Sequence, residues 1–178
     1  TGTNNTIVGS TAGDVMTTCA SNTAVGQGAL GANQTANSNT AVGKGAGAST
    51  TVAAGTYVGT QAGENTNSVS NTFIGCSSGE LVTSGQKNTI LGRYNGNENG
   101  LDIRTQNNRI VLSDGDGNPQ WHYNPTSYGG LWAAPYNGHT ATGRGQGSKI
   151  NVSSGAVAYD GNFHITDGVA NNCYFGLN

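Results

Sequence analysis

Charged side chains are scarce in this chain, and so are hydrophobic ones. Charged residues make up 9% of it, where about 25% is usual in a globular domain, and hydrophobic residues reach only 34%. Low hydrophobicity often indicates disorder, but disordered chains usually carry high charge, and the net charge here is −2. Because such a chain must satisfy its backbone in another regular way, its 30 glycines and many Asn, Thr and Ser residues favour repeated β-structure.

Basic residues and long apolar runs are missing as well. The seven Lys and Arg residues are scattered, which excludes the basic stripe that nucleic acid requires. No apolar run approaches the length that crosses a bilayer, so membrane insertion is not expected. The opening TGTNNT has neither an initiator Met nor a signal-peptide pattern, and the chain is interpreted as a fragment or a processed product.

Cysteine is rare and odd in number. Cys19, Cys76 and Cys173 are widely spaced and form no CxxC pair. This pattern excludes a full disulfide framework and gives no indication of zinc. The three thiols are therefore expected to be reduced and partly buried, as small hydrophobes often are.

What the chain does contain is an internal repeat of the form Asn-Thr-x-Val-Gly. It occurs six times, its glycines lie 16 or 17 residues apart, and a second glycine follows four residues later in every copy except at Leu30. Such regularity is typical of solenoids and fibres. The repeat glycines are Gly9, Gly26, Gly43, Gly59, Gly75 and Gly92, and asparagines open the copies at Asn22, Asn39, Asn71 and Asn88.

Each copy predicts one rung of a β-structure. Thr-x-Val is a β-branched stretch with period two, which favours a strand of three or four residues. The two glycines supply the backbone freedom for a tight corner. The asparagine tolerates left-handed dihedrals, and stacked copies are expected to form a hydrogen-bonded ladder along the axis. Successive rungs should then lie about 4.8 Å apart.

One rung has little to bury. Two large apolar side chains, such as Ile90 and Leu91, are expected to contribute roughly 1.5–3 kcal/mol each. Ordering the 16 or 17 residues of a rung costs about 1 kcal/mol or more per residue. Burial against another copy of the chain is therefore expected, as in an oligomeric fibre. Tyr57 and Phe73 share a column in adjacent rungs and are predicted to stack in a structural role.

These residues resemble a known group of proteins. The repeated N-T-[AVIF]-[VI]-G-x-x-A-G rung is similar to the shafts of bacteriophage tail fibres and tail spikes, and a related rung occurs in the heads of trimeric autotransporter adhesins. RIVLSDGDGN, residues 109–118, resembles the segment that links a fibre shaft to later domains. The resemblance implies a homotrimer, contacts with other phage tail proteins, and a place in the virion tail fibre after assembly in the host cytoplasm.

Many fibres of this kind carry a self-cleaving C-terminal chaperone. The Ser-Asp-x-Arg-x-Lys motif near which its mature part begins is absent here. The resemblance thus implies, as a hypothesis, that Asn178 is the end left after chaperone removal.

The composition changes near residue 119. Nine of the 12 aromatic residues and all three histidines follow it, and the periodicity stops. We predict a repetitive trimeric shaft over residues 1–107, a connector hairpin over 108–120, and a small β-rich C-terminal tip over 121–178. Because sixty residues are few for a monomeric core, trimerisation again fits.

The tip is the candidate receptor-binding region. Flat aromatic faces stack on sugar rings, and neighbouring polar groups bind the hydroxyls. The alternative is that these aromatics form the core and trimer interface of a small domain; Trp132 and Tyr136 favour a site because they lie in a loop rich in Gly and Pro. The candidate glycan-binding residues are Trp121, Tyr123, Tyr128, Trp132, Tyr136 and His139.

No metal or cofactor is expected. Asp114, Asp116 and Asn118 resemble the first ligands of a calcium loop, but Pro119 and Pro125 stand where that loop needs Gly and Glu. A tight hairpin turn explains the same residues. A metal on the trimer axis, held by His122, His139 or His164, is a weaker alternative because the histidines do not cluster.

Catalysis is not expected either. Glycoside hydrolysis usually needs two carboxylates about 5 to 10 Å apart. Asp160 and Asp167, with His164 between them in sequence, are a candidate pair, but hairpin turns explain both residues more simply. No nucleophile elbow, phosphate-binding loop or HExxH helix is present.

The sequence is therefore interpreted as an all-β fibrous homotrimer, a β-helix or β-roll-like tail fibre that attaches a tailed phage to a bacterial surface glycan without cleaving it. Attachment would work by avidity between several weak sites. The alternatives are a bacterial trimeric surface adhesin and a glycan-depolymerising tail spike. A monomeric ice-binding solenoid is disfavoured because the repeated column supplies only one Thr per rung.

Overall fold

A computed structural model describes the backbone of residues 2–124, 130–133 and 149–150, and side chains through residue 123. It is all-β, a parallel β-solenoid of about six turns. No helix occurs in the part of the chain that the structure describes. The predicted all-β class and repeated β-helical architecture are thereby confirmed.

The strands of the repeat are three residues long and pair in register with the next copy. They are β1 (Thr6–Val8), β2 (Thr23–Val25), β3 (Thr40–Val42), β4 (Thr56–Val58), β5 (Thr72–Ile74) and β6 (Thr89–Leu91). Threonine pairs with threonine along this series, from Thr6↔Thr23 to Thr72↔Thr89.

The same sheet continues beyond the six copies. The short hairpin of β7 (Asn97–Glu98) and β8 (Leu101–Asp102) leaves the solenoid after β6, and β9 (Ile110–Ser113) then returns as the parallel neighbour of β6. The next strands, β10 (Pro119–Asn124), β11 (Gly130–Ala133) and β12 (Lys149–Ile150), are antiparallel. The seventh parallel strand therefore lies inside the segment predicted as the connector, and β9 and β10 form its hairpin.

The core is a single column of side chains inside the solenoid. In β2 to β6 and in β9 the middle residue is buried and its two neighbours face outward, as the period of two requires, whereas in β1, at the end of the solenoid, Ile7 is 43% exposed. The expectation of two buried apolar side chains per rung is wrong, because Ile90 is fully buried while Leu91 is 51% exposed. The inward residues with no exposed surface are Ala24, Ala41, Tyr57, Phe73, Ile90 and Val111.

Side-chain size is balanced in two of the rungs. Where the inward residue is the small Ala24, the second glycine column carries Leu30, which is also fully buried. Where the inward residue is Tyr57, glycine replaces asparagine at Gly55, because a Cβ there would lie 2.4 Å from the Tyr57 hydroxyl. The rings of Tyr57 and Phe73 are 5.9 Å apart and inclined by 48°, so the predicted contact is a tilted pair.

The repeat glycine is required at the corner after each strand. Gly59 has a φ of 132°, and a Cβ on it would lie 2.3 Å from the carbonyl oxygen of Gly75 in the next rung. Any side chain here would collide with the neighbouring backbone, in a region of φ that favours glycine. Because of this close approach, each regular rung needs a glycine at this corner, and the glycine therefore recurs with the period of the repeat.

The asparagine ladder exists and runs from side chain to backbone. The Oδ1 atom of Asn22 accepts from the backbone N–H of Asn39 at 2.9 Å, and Oδ1 of Asn71 accepts from that of Asn88 at 2.8 Å. The left-handed residue of the corner, however, is the one before the asparagine, such as Ser38 with a φ of 61°. Asparagine suits this buried position because its side chain offers four hydrogen-bonding positions, not because of its dihedral angles.

Candidate functional site

The outward side of the parallel sheet is the most unusual surface of the molecule. We call it the outward face and define it by the residues that flank the inward column. One of its columns is mainly threonine and the other mainly valine, isoleucine and leucine. The first contains Thr6, Thr23, Thr40, Thr56, Thr72, Thr89 and Ile110, and the second contains Val8, Val25, Val42, Val58, Ile74, Leu91 and Leu112.

The outward face exposes a continuous apolar stripe to solvent. Val8 is 57% exposed, Leu91 51% and Leu112 43%, and the in-register pairing places each such side chain directly beside that of the next rung. None of the residues in the two columns is charged. Single exposed hydrophobic residues are ordinary, but a long uncharged apolar stripe is typical of an interaction surface.

Two of the predicted glycan-binding residues extend this face. In the β9–β10 hairpin, Trp121 pairs with Leu112 and Tyr123 pairs with Ile110. Trp121 is 39% exposed and Tyr123 is half-buried. Both aromatics therefore continue the outward columns of the shaft, and the structure brings them together there.

His122, between them, continues the inward column, where it pairs with Val111. Burial lowers the pKa of its imidazole below the ordinary value, and the nearby Arg109 guanidinium lowers it further. The guanidinium itself is buried and donates to the Gln106 side chain. The hairpin thus places the polar side chain of His122 in the inward column, near Arg109.

The other candidate residues fall mostly outside the described part of the chain. The expectation that Trp132 lies in a loop is wrong, because it lies on β11, where the backbone register pairs it with His122. Tyr128, Tyr136 and His139 lie outside the described residues. Asp160, His164 and Asp167, considered for catalysis, lie outside them as well, as does Cys173.

The acidic loop at residues 114–118 forms the turn of the β9–β10 hairpin. The Asp114 carboxylate accepts hydrogen bonds from the backbone N–H of Asp116 at 3.0 Å and of Asn118 at 2.9 Å. The Asn118 side chain also donates to it, and these bonds lower the pKa of Asp114. Its oxygens are thus used within the turn, as the hairpin interpretation requires.

The described residues also bear on metal binding, on the cysteine thiols and on membrane-spanning helices. They contain no group of three His, Cys, Asp or Glu residues arranged to hold a metal ion. Cys19 is a buried free thiol, but the expectation that Cys76 is partly buried is wrong, because its thiol is exposed. Within the same residues, no helix is long and apolar enough to cross a membrane.

Sequence reasoning missed the part of the outward face beyond the sixth copy. Ile110 and Leu112 occupy the threonine and valine columns, although neither asparagine nor glycine marks their rung. The sequence does carry a signal for this rung. Arg109-Ile110-Val111-Leu112 matches Asn88-Thr89-Ile90-Leu91 position by position, although the interval between them is longer than one regular rung. Comparison of the chain with protein-family models, with curated proteins and with solved structures gives no match.

Proposed function

We propose that the chain is a structural and receptor-binding tail fibre protein of a tailed bacteriophage, a homotrimer that attaches the virion to a bacterial surface glycan. The observation that carries the proposal is the outward face, an uncharged and largely apolar stripe along a rigid solenoid. In a solitary chain this stripe would stay in water, which is unfavourable by about 25 cal/mol per Å² of apolar surface.

Copies of the same chain are the partners that suit this surface. The face is straight, repeats every rung and carries no charge, so a second copy presents a matching surface of the same length. Seven parallel strands at about 4.8 Å give a face of roughly 30 Å. Three copies, rather than two, follow from the resemblance of the repeat to phage fibre shafts.

The attachment part of the proposal rests on the resemblance and on avidity. Three chains per fibre would present three equal sites, and linked weak sites bind more tightly than each one alone without new contacts. Because Trp121 and Tyr123 continue the outward face, we assign them to the trimer interface, and Trp132 and Tyr136 stay the proposed tip contacts. Trp132→Ala is expected to reduce adsorption to bacterial cells while leaving the trimer intact.

A pair of matched valine substitutions tests the interface. Val42 on the outward face is 37% exposed, and Val15 in the turn after β1 is 38% exposed. In a solitary chain, aspartate at either position would have a similar small effect. In the trimer, Val42→Asp buries a charge in each of three copies, so we expect the trimer to be lost, whereas Val15→Asp leaves it intact.

Sedimentation analysis of the two variants beside the unchanged protein measures this. A Val42→Asp protein that sediments as a stable trimer would overturn the assignment of the outward face. Loss of the trimer in both variants would also overturn it, because the effect would then not depend on the face.

A further inference from the structure

The regular rung is interrupted once, directly after β6. Successive positions of the asparagine column are 16 or 17 residues apart in the regular rungs, as from Asn71 to Asn88, whereas 21 residues separate Asn88 from Arg109 in the same column. The additional residues form the β7–β8 hairpin. In repeat proteins, insertions project from one side, and that side is often the one that binds.

This hairpin is fixed to the shaft. Tyr94 is fully buried, and its hydroxyl donates to the carbonyl oxygen of Leu101 at 2.6 Å. Ile103, also fully buried, donates its backbone N–H to the carbonyl of Gly96 at 2.8 Å. Because a buried aromatic side chain holds this hairpin in place, the surface that it offers to a ligand is already ordered, which lowers the cost of binding.

An open groove lies between the hairpin and the preceding turns. Its volume is about 430 Å³, within the range of roughly 300–1,000 Å³ typical of small-molecule sites. None of its lining residues belongs to the outward face, so association through that face leaves the groove accessible. The lining residues are Asn65, Leu81, Thr83, Asp102, Arg104 and Thr105.

The groove holds a donor and an acceptor side by side. Arg104 donates to the Asp102 carboxylate from Nε at 3.0 Å and from Nη2 at 2.8 Å. Both side chains are nearly half exposed, and an ion pair in such a position contributes little to stability. Nη1 of Arg104 takes no part in this pair, so the fixed fork can still donate to a ligand while the carboxylate accepts.

The remaining lining adds hydroxyl, amide and apolar groups. The Asn65 side-chain N–H donates to the Glu80 carbonyl at 2.9 Å, which fixes the amide with its Oδ1 as an acceptor. Thr83 and Thr105 carry hydroxyls, and Leu81 is 37% exposed. One acid and one base cancel in charge, so phosphate and other anions gain no net attraction here.

We propose that this groove binds a neutral pyranose unit of a polysaccharide, with Asp102 and Arg104 on its hydroxyls and Leu81 against its C–H face. Hydroxyl groups both donate and accept, which suits a paired carboxylate and guanidinium. The inference rests on the proposed function and deepens it by placing a glycan site on the shaft, one per chain. Three such sites in a trimer would act by avidity.

Saturation-transfer NMR with the methyl glycosides of glucose, galactose, mannose, rhamnose and N-acetylglucosamine tests this. The unchanged protein should bind at least one of them, and Asp102→Asn should weaken that binding about tenfold, the loss expected when a charged hydrogen-bond acceptor is removed. The matched control is Asp14→Asn, which changes an exposed acid in the first turn. Circular dichroism of both variants checks that each is folded.

Absence of binding by all five glycosides, or equal binding by Asp102→Asn and the unchanged protein, would overturn the site. The mass of the same samples by light scattering separates this failure from that of the proposed function. A trimer that binds no glycoside would overturn only the proposed groove site. A monomer whose glycoside binding depends on Asp102 would support that site and overturn the proposed fibre.

Discussion

Phe73 and Ile74 are neighbours on β5, yet they lie in opposite environments. Phe73 has no exposed surface and packs against Tyr57 inside the solenoid, while Ile74 is 39% exposed on the outward face. The same contrast recurs along the shaft, as in Ile90 and Leu91. The inward column fills the inside of a single chain, so the apolar residues of the outward column require a different explanation.

The two columns also differ in how much they vary. The inward column ranges from Ala24 to Tyr57, and in the rungs of these two residues Leu30 and Gly55 replace the usual glycine and asparagine. The outward valine column changes only among Val, Ile and Leu until Trp121. A column of nearly constant shape suits packing against a straight partner surface.

The largest expected effect is on the inward column. Phe73→Ala should lower the free energy of unfolding by about 3–5 kcal/mol, because it removes a buried ring and leaves a cavity. Ile74→Ala should instead weaken the association of the copies, because its side chain lies on the outward face. Urea unfolding followed by circular dichroism measures the first effect and light scattering on dilution measures the second. A Phe73→Ala protein as stable as the unchanged one, or an Ile74→Ala protein that associates as tightly as the unchanged one, would contradict the division of β5 into an inward and an outward side.

The asparagine ladder should give an intermediate effect. Asn71→Ala removes the acceptor of the Asn88 N–H and a donor to the Gly85 carbonyl, each at 2.8 Å. Leaving the buried Asn88 N–H unpaired costs about 1–3 kcal/mol, whereas the Gly85 carbonyl keeps the Ser68 hydroxyl as a donor. The exposed Asn67, which accepts from the Thr51 hydroxyl at 2.6 Å, is the matched control, and Asn67→Ala should be much milder in the same urea measurement.

The smallest expected effect is a dependence of stability on pH, and it comes from His122 in the inward column. The pKa of His122 is lowered in the folded chain, so the unfolded chain binds a proton more readily. Stability should be constant above the ordinary histidine pKa of about 6.5 and fall as the pH decreases below it. Thermal unfolding between pH 7.5 and about 5 measures this fall.

His122→Gln should flatten that pH dependence, and His139→Gln serves as the control. A His122→Gln protein that loses stability on acidification as steeply as the unchanged protein would show that another group is responsible. The pKa values of Asp102 and Asp114 are also lowered from the ordinary value of 3.8. These carboxylates change the stability only at pH values near or below 3.8, so they do not affect it in the pH range measured for His122.

The sequence predicted the repeating part of the fold well, because each rung carries its own signals. The threonine and valine positions located the strands, the glycine of each copy located the corner, and Asn22, Asn39, Asn71 and Asn88 located the ladder. It did not predict the seventh parallel strand, because Arg109 and Ser113 stand where the asparagine and glycine would be. The Arg109 backbone N–H still completes the ladder by donating to Asn88.

The candidate sites were harder to predict for a physical reason. Aromatic composition indicates a binding region but not which side of a strand a residue occupies, and a shift of one position changes the side. Only the register of the β9–β10 hairpin places Trp121 and Tyr123 on the outward face and His122 on the inward one. The groove beside Asp102 and Arg104 likewise depends on where an irregular insertion folds back, which the repeat pattern does not encode.

The central claim is that the outward face joins copies of this chain, and the mass of the unchanged protein in solution tests it most directly. Light scattering, with the same sample run unheated on a denaturing gel, gives the number of chains per particle. We predict a mass three times the 17.9 kDa of one chain, in a particle that resists detergent. A monomer of 17.9 kDa would contradict the account, because the outward face would then remain in water and the fibre and its avidity would be lost together.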